Sequence, residues 1–392
     1  MTGSARPATC DDLRDAIADA ARSGVRLDIR GGGSKRDIGA PGRAPGLDMT
    51  GFRGVIDYDP PELVLTAGAG TPLAEIQALV AGQNQMLAFD PFDHGPILGA
   101  PCVVSTIGGV ISAAVAGSRR VSRGGVRDHF LGFKGVSGRG EAFVAGAKVV
   151  KNVTGYDLPK VFAGSWGRLA ALTEVTLKVL PAPREQATRA LAGLSPVQAQ
   201  AAMARAMGSQ AEVAAAAHIP AALRPEGSLT VLKIEGFGPS VAARCHMLDQ
   251  LLADAGPVIA LPADDALDIW NGLHTLRPLA DAPVVWRINV PPSRACALVE
   301  ALEPQGARWL LDWAGGLVWL GFPGDPATVR RLAEAAGGHA TLVRAPEEMR
   351  RRVPALQPQA PAVMALEARV RRAFDPAGVF ETGRFLDGPD AD

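Results

Sequence analysis

The sequence has few cysteines and no excess of charge of either sign. Its 392 residues include four cysteines, and none of them forms a C-x-x-C pair. A zinc site or an iron–sulfur cluster held by such pairs is therefore excluded, and the scattered cysteines suit a reducing compartment. Forty basic residues balance forty acidic residues, so the composition does not indicate a nucleic-acid partner.

The sequence also lacks long hydrophobic runs. No stretch reaches the ~18 apolar residues that a membrane-spanning helix needs. The first residues, MTGSARPATCDDLRDA, contain no apolar region typical of a signal peptide. We therefore expect a cytoplasmic protein with no membrane span of its own, and peripheral attachment through a partner stays open. The length and the 47% hydrophobic content allow two or three domains with ordinary cores.

Helical and strand-like patterns alternate along the chain, which predicts an α+β fold. Leu13, Ile17 and Ala20 recur at helical spacing before Gly24, a helix-ending residue. The strand-like run LAALTEVTLKVLPAP closes in prolines, and we place a domain boundary there. From about 187 to 217 the chain is rich in alanine, which favours helix. We expect a first domain over residues 1–183 and an α+β cap domain over residues 187–355. A C-terminal helix and tail over residues 360–392 are expected to pack on the first domain.

Three consecutive glycines follow a predicted strand in IRGGGSKRDIGAPG, residues 29–42. Exposed backbone N–H groups in such a loop favour phosphate binding. Two known patterns do not fit. Arg36 stands where a dinucleotide fingerprint has its third glycine, and Ser34 precedes Lys35 where a P-loop has Gly-Lys-Ser/Thr. For this stretch alone, a structural turn is the alternative interpretation.

A second run of small residues, STIGGVISAAVAG, covers residues 105–117. Small side chains allow a flat or extended ligand to lie against the backbone. The helix that starts near Thr106 is expected to direct its N–H groups at a pyrophosphate. Two glycine loops with strands between them suit an extended dinucleotide, and its pyrophosphate would need no metal.

The sequence resembles the FAD-binding domain of the vanillyl-alcohol oxidase and p-cresol methylhydroxylase (PCMH) family in four stretches: IRGGGSK, VIDYDPPELVLTAGAGTPLAEIQALV, STIGGVISAAVAGSRRVSRGGVRDHFLGFKGVSGRGE and KNVTGYDLPKVFAGSWGRLAALTEVTLKVLPAP. The likeness continues in VVWRINVPPS, LLDWAGGLVWL and FDPAGVFETGRF, and it is greatest to the FAD-binding E subunits of bacterial glycolate oxidases. The resemblance implies a PCMH-type FAD-binding domain of two α+β subdomains, followed by an α+β cap domain and a C-terminal tail that returns to the flavin.

Transfer of the family's roles to these positions implies bound FAD. A first loop would donate N–H groups to the pyrophosphate, and a second would lie beside the flavin and ribityl chain. Glu174 and Val175 would contact the adenine side through backbone, and Arg384 would return to the isoalloxazine. The implied cofactor-binding residues are Arg30, Gly31, Gly32, Gly33, Ser34, Lys35, Pro101, Thr106, Ile107, Gly108, Gly109, Ala113, Gly117, Arg127, Asp128, Glu174, Val175 and Arg384.

Positions where this sequence differs from the family pattern bear on whether the flavin is covalently bound. Relatives with covalent flavin often have histidine in the first glycine loop, where this chain has Ser34, so we expect non-covalent FAD. Cys102 precedes Gly108 at a spacing that resembles the attachment cysteine of berberine-bridge-type oxidases. A small buried loop residue is the favoured interpretation of this cysteine. The tail has Glu381-Thr382-Gly383-Arg384 where the family has Asn-Pro-Gly before its basic residue.

The catalytic groups are the least defined part of the prediction. Oxidation of a 2-hydroxy acid needs a group for the hydroxyl proton and an arginine for the carboxylate. Catalytic relatives hold a metal with a histidine cluster, but the six histidines here show no pair at metal-ligand spacing, so no metal site is predicted. His274 and Arg277, in WNGLHTLRPL, are the candidate catalytic pair. A histidine and an arginine without a catalytic role are the alternative.

The resemblance implies an FAD-dependent oxidoreductase that acts on the CH–OH group of a small 2-hydroxy acid. The expected function is that of a subunit of a glycolate oxidase complex, which oxidises glycolate to glyoxylate. Electrons would leave through two partners, a second flavin subunit and an iron–sulfur subunit, because this chain lacks cluster ligands. Two alternatives stay open: a non-catalytic FAD-binding structural or relay subunit, and a free-standing FAD oxidase of another 2-hydroxy acid.

Overall fold

The computed structural model describes residues 4–100, 104–147 and 156–385. Contacts between residues divide the chain into two units. The first unit is formed by the described residues of Met1–Ala116, Gly124–Ala182 and Pro358–Asp392, and the second by Gly117–Arg123 and Pro183–Gln357. The short segment Gly117–Arg123 therefore groups with the second unit, although it lies within the range 1–183 that the sequence assigned to one domain.

Helices and strands are distributed over both units. The helices of the described residues are α1 (Cys10–Ser23), α2 (Leu73–Ala81), α3 (Gly95–Leu98), α4 (Ile107–Ala113), α5 (Arg120–Arg123), α6 (Val126–His129), α7 (Leu158–Phe162), α8 (Pro196–Met207), α9 (Gly238–Leu251), α10 (Ala263–His274), α11 (Ala295–Leu302), α12 (Pro326–Ala335), α13 (Glu347–Arg352) and α14 (Pro361–Phe374).

The strands of the described residues are β1 (Asp28–Arg30), β2 (Gly46–Asp48), β3 (Val55–Asp59), β4 (Val64–Gly68), β5 (Gln85–Met86), β6 (Phe130–Ser137), β7 (Ala142–Gly146), β8 (Ala170–Lys178), β9 (Leu180–Pro181), β10 (Glu185–Ala192), β11 (Ala215–Ile219), β12 (Leu229–Gly236), β13 (Ile259–Ala260), β14 (Val285–Asn289), β15 (Arg308–Asp312), β16 (Leu317–Gly321) and β17 (His339–Arg344). Together with the helices, they confirm the predicted α+β class.

The first unit begins with α1 and a parallel pair of strands, β1 and β2. Local signals define the helix. The Thr9 side chain accepts from the N–H of Asp12 in a capping box, and Gly24 ends the helix with a φ of 68°. Leu13 and Ile17 are buried with Leu47 of β2 in a small apolar core. This arrangement fixes the end of β1, from which the first glycine loop starts.

An antiparallel sheet forms the other part of the first unit, with the strand order β3-β4-β8-β6-β7. The β3–β4 hairpin forms where Asp59-Pro60-Pro61 predicts a turn. A core that includes Phe89, Phe133 and Phe162 packs between this sheet and helices α2 and α4. The central strand β8 is therefore buried along most of its length.

The second unit is built on an eight-stranded antiparallel sheet with the order β13-β10-β12-β11-β15-β16-β14-β17. Apolar residues from α8, α9, α11 and α12 pack with Trp286, Trp309 and other sheet residues in one large core. These helices cover one face of the sheet. Successive side chains of a strand point to opposite faces of the sheet. Strand residues that directly precede or follow a core residue therefore point to the face without these helices.

The prediction of helix from about 187 to 217 is wrong at both ends. Strand β10 covers the start of this stretch, helix α8 its middle, and strand β11 its end. All five residues of β11, AAAHI, are buried between the neighbouring strands β12 and β15. Burial in a central strand overrides the helical propensity of alanine. Among the described residues, no helix has both the length and the apolar character needed to cross a bilayer.

Candidate functional site

A cleft in the first unit lies where β1 ends and the first glycine loop begins. It is lined by residues from β1, the two glycine loops, the loop before β8 and the C-terminal tail. Its lining comprises Asp28, Ile29, Arg30, Gly31, Gly32, Gly33, Ser34, Lys35, Arg36, Met49, Ala69, Thr106, Gly108, Gly109, Ser112, Trp166, Gly167, Ala170, Leu172 and Arg384. The two loops that the sequence singled out therefore face one cleft.

The glycines of the first loop are required for two different reasons. A Cβ on Gly31 would collide with the side chain of Thr106, and a Cβ on Gly32 would collide with the carbonyl group of Val104. Both glycines thus allow the second loop to cross the first at close range. Gly33 has a φ of 81° and open space around its Cβ position, so it is needed for its left-handed backbone conformation.

The first loop presents free hydrogen-bond donors to the cleft. The backbone N–H groups of Gly32, Gly33 and Ser34 make no hydrogen bond to another described residue. Both Gly32 and Gly33 are exposed, whereas Ser34 is buried. Consecutive backbone N–H groups of this kind form a site for an anion.

The second loop does not present donors, which differs from the sequence-based expectation. The N–H group of Ile107 donates to Thr71 O at 3.0 Å, and that of Gly108 donates to Ala69 O at 2.8 Å. The side chain of Thr106 caps helix α4 by accepting from Gly109 N at 3.4 Å. Because these N–H groups are already bonded, the second loop contributes a surface of small residues and not a set of anion donors.

A buried chain of polar side chains holds the two loops together. Lys35 Nζ donates to Ser34 Oγ at 3.2 Å, Ser105 Oγ donates to Asp93 Oδ1 at 3.1 Å, and the hydroxyl oxygens of Ser34 and Ser105 lie 3.0 Å apart. Burial lowers the pKa of Lys35 to about 8, with Arg384 lowering it further and Asp93 opposing the shift. An anion in the cleft would relieve this cost of burying a cation.

The C-terminal tail closes the first loop. Arg384 Nε donates to Ile38 O at 2.7 Å, and its Nη2 donates to Lys35 O. The backbone of Arg384 also accepts from Ala40 N at 2.8 Å. The sequence predicted a role for Arg384 at the isoalloxazine. In the structure, its guanidinium lines the cleft and binds carbonyl groups of the first loop.

Sequence reasoning missed several residues of the cleft, of which Trp166 is the largest. Trp166 has a φ of 56° and Gly167 a φ of 75°, so two successive residues are in the left-handed region. Such a conformation is uncommon for a tryptophan and is found in turns and at functional sites. The dipeptide Trp166-Gly167 between two predicted elements was the available signal.

Other predicted cofactor residues lie outside the cleft lining. Asp128 accepts from Gly125 N at 2.8 Å and caps α6, and Glu174 accepts from Lys134 Nζ at 3.0 Å on the five-stranded sheet. Gly117 belongs to the second unit. Ile107, Ala113, Arg127 and Val175 are positioned by α4, α6 and β8 without lining the cleft. Pro101 and Cys102 lie outside the described residues. The cofactor roles of all these residues stay predictions.

The candidate catalytic pair lies in the second unit. His274 is the last residue of α10, and Arg277 follows it at the start of a short 3₁₀ turn. The Arg277 guanidinium donates to both carboxylate oxygens of Asp268, at 2.8 and 2.6 Å, on an exposed surface. Among the described residues, no group of three histidine, cysteine or acidic side chains is placed to hold a metal. The catalytic role of His274 and Arg277 stays a prediction.

Comparison with known proteins identifies the family. Residues 2–146 match the FAD binding domain family. The chain is 32% identical to the glycolate oxidase subunit GlcE of Escherichia coli over 379 residues, which cover 96% of both chains. The chain belongs to the GlcE family of glycolate oxidase subunits.

More distant relatives match about half of this GlcE-family chain. It is 28% identical to the glycolate oxidase subunit GlcD of Bacillus subtilis over 50% of this chain and 39% of GlcD. It is 26% identical to a D-lactate dehydrogenase of Archaeoglobus fulgidus over 47% of this chain and 40% of that one. Together with the match to the FAD binding domain family, these relatives show that the family is one of FAD-dependent oxidoreductases.

Solved structures show the same fold at low identity. p-Cresol methylhydroxylase superimposes with a TM-score of 0.71 at 12% identity and covers 97% of this chain and 88% of its own. An alkyldihydroxyacetonephosphate synthase superimposes with a TM-score of 0.66 at 14% identity, over 95% and 75% of the two chains. The predicted PCMH-type fold is therefore confirmed.

The residues of the cleft fit FAD. Gly32, Gly33 and Ser34 offer free N–H groups for a diphosphate, and Lys35 and Arg384 supply positive charge. The small residues of the second loop leave the adjacent surface open. This combination of donors, cations and open backbone matches an extended, doubly negative cofactor.

Proposed function

We propose that this chain is the FAD-binding subunit of a glycolate oxidase and contributes to the oxidation of glycolate to glyoxylate. The observation that carries the proposal is the 32% identity to GlcE over 96% of both chains. The cleft in the first unit supports it, because its free donors and its two cations suit a dinucleotide.

Residues of the first loop would hold the cofactor in the proposed function. Gly32, Gly33 and Ser34 would donate N–H groups to the diphosphate, and Lys35 and Arg384 would balance its charge. FAD, when bound, supplies the acceptor for the hydrogen removed from the substrate Cα. The attachment is non-covalent, and acid precipitation tests this directly because only a covalently bound flavin remains with the denatured polypeptide.

Electrons leave through partner subunits in the proposed function. The names of two relatives, GlcE and GlcD, describe subunits of glycolate oxidase, which supports a complex of several chains. A second flavin subunit and an iron–sulfur subunit are the proposed partners. The complex is cytoplasmic in this proposal, and any attachment to a membrane is made through those partners.

A relay subunit without a substrate site is the second candidate function. The candidate catalytic Arg277 is tied to Asp268 by two hydrogen bonds on an exposed surface, which favours this alternative for the isolated chain. In this case the chain binds FAD and passes electrons, and the oxidation of glycolate occurs on another flavin subunit.

An anaerobic titration of the purified, FAD-loaded chain with glycolate tests both functions. An absorbance spectrum first establishes whether the chain takes up FAD, and a chain that takes up none contradicts both proposals. Bleaching of the flavin by glycolate in the chain alone supports a catalytic subunit. Bleaching only after the partner subunits are added supports the relay subunit.

A further inference from the structure

The eight-stranded sheet of the second unit carries charged side chains on the face away from its helices. Trp286 and Ile288 of β14 pack in the core that includes the helices. Arg287, between them, therefore projects from the opposite face. Arg287 is half-buried, and Asp312 at the end of β15 and Glu235 near the end of β12 are buried charged residues. A sheet face with this many charges is not an ordinary apolar core.

Arg287 has unused hydrogen-bonding capacity on this face. Its Nη1 donates to Asn289 Oδ1 at 2.7 Å, and its buried Nε has no hydrogen-bond partner. It forms no ion pair with a carboxylate of the described residues. A guanidinium has five N–H donors, and removing even part of a cation from water without a paired anion is costly. Within the described residues, the bond to Asn289 is thus the one hydrogen bond that the Arg287 guanidinium makes.

A second arginine reinforces the positive charge. The Arg120 guanidinium lies 4.7 Å from the centre of the Trp313 ring, and that of Arg287 lies 5.1 Å from the same centre. Burial lowers the pKa of Arg287 to about 10, Arg120 lowers it further, and Asp312 opposes the shift. Arg287 is thus still charged near neutral pH, and both positively charged guanidinium groups lie against the Trp313 ring.

Asp312 is engaged with other groups. Ser118 Oγ donates to its Oδ2 at 2.8 Å, and Trp313 N donates to its Oδ1 at 2.7 Å. By contrast, Arg119 next to Arg120 has a carboxylate partner, because its Nη2 lies 2.7 Å from Glu235 Oε1. Of the three neighbouring arginines Arg119, Arg120 and Arg287, only Arg119 has a short ion pair within the described residues.

The turn that places Trp313 is held in an uncommon conformation. Trp313, Ala314 and Gly315 have φ values of 52°, 55° and 98°, so three successive residues are in the left-handed region. Trp313 Nε1 donates to Gly117 O at 2.9 Å and fixes the ring beside Arg120. Strained backbone that is held by specific bonds is frequent at binding sites.

We propose that Arg287, with Arg120 beside it, binds the carboxylate of a small 2-hydroxy acid in the second unit. The planar guanidinium matches the two oxygens of a carboxylate, and the Trp313 and Trp319 rings restrict the space around it. This inference rests on the proposed function, since it names the residue that recognises the substrate class of that function.

Oxalate binding to the FAD-loaded full chain tests the site. Oxalate carries carboxylates but has no hydrogen for the flavin to remove, and isothermal titration calorimetry measures its binding. We expect Arg287→Gln to weaken oxalate binding at least about tenfold, and Arg287→Lys to weaken it less, because lysine keeps the charge but not the planar fork. The KM for glycolate in the assembled complex should rise in parallel.

The matched control is Arg308→Gln. Arg308 lies in the same sheet but is already paired with Asp281 at 2.9 Å, so oxalate binding should not change. A circular-dichroism melt of each variant shows whether it folds. Oxalate binding by Arg287→Gln equal to wild type, or no binding by FAD-loaded wild type, overturns the inference while the proposed function stands. A chain that takes up no FAD overturns both.

Discussion

Gly32 has no room for a side chain because the carbonyl group of Val104 occupies the position of its Cβ. We expect Gly32→Ala to displace the first loop, to cost about 1–3 kcal/mol of stability, and to weaken FAD binding. The measurement is a flavin fluorescence titration together with a thermal melt. Gly42→Ala is the matched control, because the nearest atom to its Cβ position is 3.9 Å away. Equal FAD affinity in Gly32→Ala and wild type would show that the close crossing is unnecessary.

We expect Lys35 to make the FAD affinity dependent on pH. Burial lowers its pKa to about 8 from the ordinary 10.5, so the folded chain without a ligand loses this proton earlier than the unfolded chain does. Between these values the unfolded state binds more protons, and the contribution of Lys35 to stability therefore rises with pH. FAD has the opposite effect, because its diphosphate favours the charged lysine.

We therefore expect FAD binding to weaken roughly tenfold between about pH 7 and about pH 9.5, as Lys35 becomes neutral. Equilibrium dialysis of FAD at several pH values measures this. Lys35→Arg should flatten the dependence, because arginine stays charged over this range. An equally steep decline in Lys35→Arg and wild type would assign the pH dependence to another group.

At the scale of residues, the sequence predicted the two loops but not their division of roles. The glycine pattern indicated that both loops offer N–H groups. In the structure, the N–H groups of Ile107 and Gly108 are bonded to Thr71 O and Ala69 O. Those acceptors belong to the segment after β4, and no local pattern reveals that this segment lies against α4. For Trp166, the neighbouring Gly167 indicates a turn, but no local pattern predicts a left-handed backbone at the tryptophan itself.

At the scale of elements, the C-terminal tail acts as a strap on the first loop. Arg384 binds the carbonyl groups of Lys35 and Ile38, and Arg168 Nη2 lies 2.9 Å from Glu381 Oε2 in the same tail. Hydrogen bonds from a charged donor contribute about 1.5–3 kcal/mol each. The conformation of the first loop therefore depends on residues that are far away in sequence.

We expect Arg384→Ala to release FAD roughly tenfold faster or more and to expose the loop after Lys35 to proteases. Stopped-flow dilution measures the FAD release rate, and limited proteolysis measures the exposure of the loop. Arg372→Ala, at an exposed position of α14, is the control and should leave both unchanged. An unchanged release rate in Arg384→Ala would show that the tail does not hold the loop.

Elements with local signals were predictable, and those set by distant neighbours were not. Helix α1 has its capping box and its terminal glycine within the segment itself, and the β3–β4 hairpin has its proline turn. In the alanine-rich stretch, β10 and β11 are strands because they pair with β12 on either side. The intrinsic secondary-structure preference of alanine does not predict this strand pairing, because strand formation depends on the neighbouring strands.

At the scale of the whole molecule, the sequence resemblance predicted the fold family, and the low-identity structures of that fold confirm it. The grouping of Gly117–Arg123 with the second unit could not be predicted. It depends on bonds to distant residues, such as Ser118 with Asp312 and Ser122 with Ala214. Sequence patterns locate elements, but they do not reveal to which unit a short connecting segment is bonded.

The ion pair of Arg119 and Glu235 anchors this segment. The Glu235 side chain is fully buried, so loss of its partner would leave an uncompensated charge. We expect Arg119→Met to destabilise the protein by about 3–5 kcal/mol, and Glu235→Gln added to it to restore much of the loss. Urea unfolding measures these changes.

The control for this prediction is Arg205→Met. Its partner Asp254 is exposed, and a surface pair of this kind contributes no more than about 1 kcal/mol. A loss of stability in Arg119→Met no larger than that of Arg205→Met would contradict the anchoring role.

The position of Arg384 in the chain has a consequence for biosynthesis. The glycine loop emerges early from the ribosome, but Arg384, which fastens it, is translated only after every strand of the second unit. The cofactor cleft is thus incomplete throughout most of translation, and we expect a nascent chain to hold FAD more weakly than the full chain does. Tight retention of the flavin should therefore begin only when the tail has been synthesised, and products truncated before Arg384 should release FAD faster than the full-length chain.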